Sequence, residues 1–240
     1  MRTQLNTFWR TYMKKDQVKD YEGVISSTEL RDGEDVISSM ELNGCEDVIS
    51  SMEFIVKNIT GVIKLLDCEA INRMLQKIME GDRIFLMGAG RSGLVAKAFA
   101  MRLMHLGFTT YVVGETTTPA VHKQDVVIAI SGSGETRSIA DLGKIVKDIG
   151  STLITVTSKK ESTLGRISDI VLVLPSRTKN DPDASTFLEK NMREDYKKLP
   201  PLGTSFEITS LVFLDSVIAQ LMTLTGASEA ALKSMHTNIE

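Results

Sequence analysis

Hydroxyl-bearing residues and glycines crowd into two short stretches of this 240-residue chain. Gly88-Ala-Gly-Arg-Ser-Gly93 directly follows the apolar run Arg83–Met87, and Ser131-Gly-Ser-Gly-Glu-Thr136 directly follows Val126–Ile130. Helix-like sequence comes after each. Glycines let the backbone turn tightly and approach a ligand, while hydroxyls and the free N–H groups of the next helix face an anion. A single N-cap needs one side-chain oxygen, yet the second stretch offers three hydroxyls and two glycines in six positions. The pair therefore predicts a phosphorylated ligand gripped from two loops.

The first loop also satisfies the dinucleotide pattern G-x-G-x-x-G, with Glu115 lying 22 residues after Gly93, where a ribose-binding carboxylate is expected. Against that rival, the chain leaves no room for a second substrate domain, and a dinucleotide does not explain the second loop. No cofactor is expected, and no His/Cys/Asp cluster has the spacing of a metal site. Thr204-Ser-Phe-Glu207 has the form of a capping box, with Thr204 as N-cap and Glu207 reaching back to its N–H. His105 stands near a helix end, where packing or capping suits it, His122 falls in a loop, and His236 lies near the end of the sequence.

The elements that must position the loops alternate along the chain. Apolar, β-branched runs at 83–87, 109–113, 126–130, 152–157 and 170–174 predict strands, with helices at 92–106, 137–149 and near 161–167. Ahead of them, Val48, Ile49, Met52, Ile55, Val56, Ile59, Ile63 and Leu66 recur at helical spacing, and a second helix ends at Gly81. A last long helix opens near Phe206 and is closed by Gly226, with a short one near 228–235. Such alternation predicts a three-layer α/β/α sandwich around a five-stranded parallel sheet. A flavodoxin-like 2-1-3-4-5 order would bring the ends of strands one and three, with their Ser/Gly loops, to the switch point. The helical pair at 48–80 and the last long helix carry more apolar surface than one small sheet can cover, which predicts a subunit interface.

The N-terminal part repeats itself: Val24-Ile-Ser-Ser-Thr-Glu-Leu30, Val36-Ile-Ser-Ser-Met-Glu-Leu42 and Val48-Ile-Ser-Ser-Met-Glu-Phe54, 12 residues apart. On a helix that spacing rotates each copy by about 120°, so the copies build no single buried stripe. Residues 1–45 are expected to be a poorly ordered extension without a catalytic role, and 46–240 to form one domain. Residues 176–200 are polar and charged, with a short exposed helix expected at 185–197.

Composition narrows the class. A net charge of -3 with scattered Lys and Arg argues against a nucleic-acid surface. Cys45 and Cys68 are the only cysteines, so there is no disulfide framework, and a reducing cytoplasm fits. No apolar run is read as long enough to span a bilayer, and Arg10, Lys14, Lys15 and Asp16 interrupt any secretion signal. The expectation is a soluble cytoplasmic protein with no membrane or nucleic-acid partner.

Taken in order, Gly88–Gly93, Phe99-Ala-Met-Arg-Leu-Met-His-Leu-Gly107, Gly114-Glu-Thr-Thr-Thr-Pro119, Ser131–Thr136, Leu202-Gly-Thr-Ser-Phe-Glu207 and the tail Met235-His-Thr-Asn-Ile-Glu240 resemble the 6-phospho-3-hexuloisomerases of the sugar isomerase (SIS) domain family. The resemblance runs from about Glu46 to the end of the sequence; it lacks the N-terminal repeats, and the tail has Thr and Ile where the family has Ala and Leu. It implies isomerisation of D-arabino-hex-3-ulose 6-phosphate and D-fructose 6-phosphate through an enediol(ate). It implies Glu207 as the proton-transfer base and His236 as an acid or an aid to ring opening. Gly90, Arg91, Ser92, Ser131, Ser133, Thr136, Glu115 and Thr116 would bind the substrate and its phosphate. It also implies a homo-oligomer, a tetramer, with His236 reaching a neighbour's crevice, and a hexulose-phosphate synthase as pathway partner. Arabinose 5-phosphate isomerisation and a non-catalytic sugar-phosphate sensor are the alternatives within the same family.

Overall fold

The computed structural model describes residues 44–176 and 203–235. The repeat copies at 24–30 and 36–42, the helix expected at 185–197 and His236 lie outside the described residues.

Helices α1 (Gly44–Ile63) and α2 (Cys68–Glu80) come first, followed by β1 (Ile84–Gly88), α3 (Arg91–His105), β2 (Thr110–Val112) and β3 (Val126–Ile130). Then come α4 (Arg137–Ile149), β4 (Thr152–Thr157), α5 (Thr163–Ile167), β5 (Ile170–Val173), α6 (Thr204–Thr225) and α7 (Glu229–Ser234). The five strands form one sheet in the order β2-β1-β3-β4-β5. All four pairings are parallel, with Ile84 against both Thr110 and Val126. This is the fold and strand order the sequence predicts.

Because the central strands are covered on both faces, they read as unbroken apolar runs. Alternate side chains serve the two layers. Ile84, Leu86, Ile128, Ile130, Ile154 and Val156 join a large core with Met74 and Ile78 of α2, Phe99 and Leu103 of α3, and Phe213, Leu214, Val217 and Leu221 of α6. Phe85, Met87, Val127, Ala129 and Leu153 face the other way, onto Ile139, Ala140 and Val146 of α4 and Leu164 of α5. At the lower edge, the Arg83 guanidinium donates to both Asp125 carboxylate oxygens (2.9 and 2.6 Å), and the His122 N–H donates to Asp125 Oδ2 (2.6 Å). That clamp ties the entry to β1 to the entry to β3.

Two expectations need correction. Among the described residues, α6 is long and apolar enough to cross a membrane by length and composition, with a mean hydropathy of 1.6. Glu207 and Asp215 within it do not break the run, and its buried face packs in the larger core. The other concerns only which side of α1 packs within the chain, since the surplus apolar surface expected of this helix is there: Val48, Ile49, Met52, Val56 and Ile63 are all at least half exposed. The buried residues are Val62 and Asn58, whose amide donates to Thr209 Oγ1 of α6 (3.3 Å).

Candidate active site

β1 and β3 are neighbours whose following helices lie on opposite faces of the sheet, so their C-terminal ends open a crevice between the two turns. It encloses ≈ 210 Å³ and is lined by Ala89, Gly90, Arg91 and Ser92 from the first turn, by Gly132, Ser133 and Thr136 from the second, and by Gly203, Phe206 and Glu207 from the start of α6. Six of the residues singled out in the sequence meet here: Gly90, Arg91, Ser92, Ser133, Thr136 and Glu207.

Each wall has a local reason for its shape. Gly90 is the N-cap of α3 at φ +58, which puts Arg91 and Ser92 in the helix's first turn. Thr136 is the N-cap of α4, and no side chain caps either helix. Their leading N–H groups therefore face the crevice without a side-chain acceptor, the arrangement that attracts an anion. The Ser131 N–H donates to Val156 O (3.0 Å) and its hydroxyl to Thr136 Oγ1 (3.3 Å). Ser131 is thus buried behind the lining rather than part of it.

The third wall departs from the expected capping box. Gly203, at φ +93, is the N-cap of α6, Thr204 is its first helical residue, and no side-chain cap forms. Gly203 O accepts from the Glu207 N–H (3.1 Å). A glycine in the left-handed region turns the chain without a capping hydroxyl, so the Glu207 side chain is released from the reach-back role. Its carboxylate instead accepts from Arg91 Nε. Glu207 is largely enclosed, with 13% of its side chain exposed, whereas Arg91 is 56% exposed. A carboxylate and a guanidinium from different walls therefore share one end of the crevice.

Glu115 and Thr116 sit elsewhere, on the exposed loop after β2. Glu115 pairs with Lys97 of α3 (2.5 Å), which ties that loop to the helix, and neither residue lines the crevice. Phe206 and Gly132 are lining residues that the sequence reading passes over. Phe206 is 2% exposed, and a Cβ on Gly132 would stand 3.0 Å from its ring. The aromatic ring thus lies flush on the second loop's backbone. The signal was present as a glycine between two serines and a large apolar residue directly before Glu207. Among the described residues no group of His, Cys, Asp and Glu could hold a metal ion.

The SIS domain profile matches residues 77–187. A 3-hexulose-6-phosphate isomerase of Bacillus subtilis is 37% identical over 172 residues, covering 72% of this chain and 88% of that protein. Its counterpart in Methanocaldococcus jannaschii is 36% identical over 170 residues, covering 70% and 83%. The chain belongs to the SIS domain family. A solved structure from Methanococcus jannaschii, from which a function of 3-hexulose-6-phosphate isomerase was inferred, superposes with a TM-score of 0.66 at 33% identity. That superposition covers 80% of this chain and 99% of the other. The profile match spans all five strands and both Ser/Gly turns.

Proposed function

We propose that the protein interconverts D-arabino-hex-3-ulose 6-phosphate and D-fructose 6-phosphate. The observation that carries this reading is the Glu207 carboxylate, set on the first turn of α6 in the same crevice as two Ser/Gly turns. Resemblance to 3-hexulose-6-phosphate isomerases supports the choice of substrate.

Moving the carbonyl from C3 to C2 needs no redox partner. Glu207 takes the proton from C2 as the C2–H electrons form the C2–C3 double bond and O3 gains negative charge. With O3 protonated and the O2 proton released, the enediolate collapses to a C2 carbonyl, and Glu207 returns its proton to C3. One base positioned between adjacent carbons serves both steps. Arg91, beside Glu207, supplies a fixed positive charge near the developing enediolate. Ser92, Ser133 and Thr136, with the helix N-termini behind them, hold the phosphate. Binding at that remote group fixes the reacting carbons, where a small displacement is costly.

His236 is proposed as the acid at the oxygens or as the group that assists ring opening, reaching the crevice of a neighbouring subunit. The exposed apolar residues of α1, Val48, Ile49, Met52, Val56 and Ile63, support a homo-oligomer, a tetramer in this reading. A hexulose-phosphate synthase would be its pathway partner in the cytoplasm, on the ribulose monophosphate route, run for formaldehyde assimilation or, in reverse, for pentose supply.

The test offers the purified protein a panel of sugar phosphates and follows products by NMR. Conversion of fructose 6-phosphate to the 3-ketose, trapped by a synthase running in reverse, is the expected result. Turnover of arabinose 5-phosphate alone, or binding without turnover of any substrate, would overturn the assignment.

A further inference from the structure

Glu135 sets a charge problem. It stands between Gly134 and Thr136 in a turn suited to an anion, where a carboxylate facing a phosphate would repel it. The structure answers by direction. Glu135 Oε1 accepts from the Thr163 N–H (2.7 Å) and Oε2 from the Thr163 hydroxyl (2.6 Å). These bonds hold its carboxyl below the ordinary carboxylate range, the hydroxyl contributing most, with Arg166 and Lys159 adding in the same direction.

Thr163 opens α5, so the carboxylate is spent on an element behind the turn and away from the crevice lining. The same element grips the turn at its backbone: the Leu164 N–H donates to Gly134 O (3.1 Å). Gly134 itself, at φ +65, fits so closely on Ser162 that an added Cβ would collide with that hydroxyl. On the crevice side, the Glu135 N–H donates to Ser133 Oγ (3.2 Å). A hydroxyl whose oxygen accepts from within the turn keeps its own proton to donate outward.

We propose that Glu135 is a positioning residue of the phosphate site. Through Thr163 it holds Ser133 and Thr136 in place to donate to the ligand, without touching the ligand itself. The inference rests on reading the crevice as a sugar-phosphate site.

The test measures binding of fructose 6-phosphate by calorimetry and steady-state kinetics for the wild type, E135A, E135Q and T163V. The wild type is expected to bind fructose 6-phosphate and to prefer it strongly over fructose. E135A should weaken binding roughly tenfold, as for loss of charge-assisted hydrogen bonds, and raise KM while kcat changes by less than about threefold. E135Q can still accept from the Thr163 N–H and should recover most of the affinity. T163V should lose part of it, and E135A/T163V no more than E135A alone. Wild-type affinity in E135A, no recovery in E135Q, or a collapse of kcat at constant KM would each overturn the proposal. If E135A does not fold, T163V carries the test, and unchanged affinity there overturns it. A wild type that fails to bind fructose 6-phosphate would instead overturn the reading of the crevice, and this inference with it.

Discussion

The N-termini of α2 and α5 are closed by side chains, whereas those of α3, α4 and α6 are left open. Asp67 Oδ1 accepts from the N–H groups of Glu69 and Ala70 (2.9 and 3.1 Å), and Ser162 Oγ accepts from Gly165 N–H (3.1 Å). By contrast α3, α4 and α6 begin at Gly90, Thr136 and Gly203 with no side-chain cap. A side-chain cap replaced by alanine costs on the order of 1 kcal/mol, and by glycine only a few tenths. This fold leaves side-chain caps out at the three helices that open onto the crevice, with glycine at two of the starts. The difference teaches where N–H donors are left over: a capped helix end is satisfied within the chain, and an open one presents donors of the kind that suit an anion.

The largest test of that contrast is at Glu207. Glu207→Gln keeps the shape of the side chain but cannot take a proton, and turnover should fall by roughly 10²–10⁴. Because Glu207 makes no cap, and a glutamine amide oxygen can still accept from Arg91 Nε, the melting temperature should change little. Surviving activity with a loss of about 1 kcal/mol in stability would return Glu207 to the capping role.

A second test closes an open end on purpose. Thr136→Asp places a strong cap at α4 and a negative charge in the crevice. Calorimetry should show sugar-phosphate affinity falling by at least about tenfold from like-charge repulsion, while stability is kept or slightly raised. Unimpaired binding would mean that the start of α4 does not receive the phosphate. The smallest effect is expected at the finished end. Asp67→Ala should destabilise the fold by about 1 kcal/mol in denaturant unfolding and leave kcat/KM unchanged. A change in kinetics there would dissolve the distinction between the two kinds of helix start.

Most of the scaffold was legible because periodicity and punctuation agreed. β3 at 126–130, β4 at 152–157 and α4 at 137–149 match the expected spans residue for residue, the last ended by Gly150 in the left-handed region. Both Ser/Gly turns were legible from composition alone. The start of α6 was not, since Thr204-Ser-Phe-Glu207 carries every residue of a capping box. What decided otherwise was Gly203, one position earlier, whose φ of +93 took the N-cap position and freed Glu207 for Arg91. Pairings such as Glu135 with Thr163, 28 residues apart, depend on how loops meet across the sheet edge, which local spacing does not encode. The face buried by α1 was obscured for a similar reason: Asn58 is inside because Thr209, 151 residues later, receives its amide proton.

The large core has a consequence in the order of synthesis. Ile84, Leu86, Ile128 and Ile154 are on the growing chain long before Phe213, Leu214, Val217 and Leu221, the residues of α6 that share their core. Chains emerge from their N-terminal end at roughly 5–20 residues per second, so for some seconds after β5 is made the sheet has one incompletely covered face. During that interval the nascent protein is sticky on the layer that α6 will later cover. The helix that brings Glu207 to the crevice is therefore also the piece that covers the larger core, and a chain that has not acquired it has neither the third wall of the crevice nor a closed core.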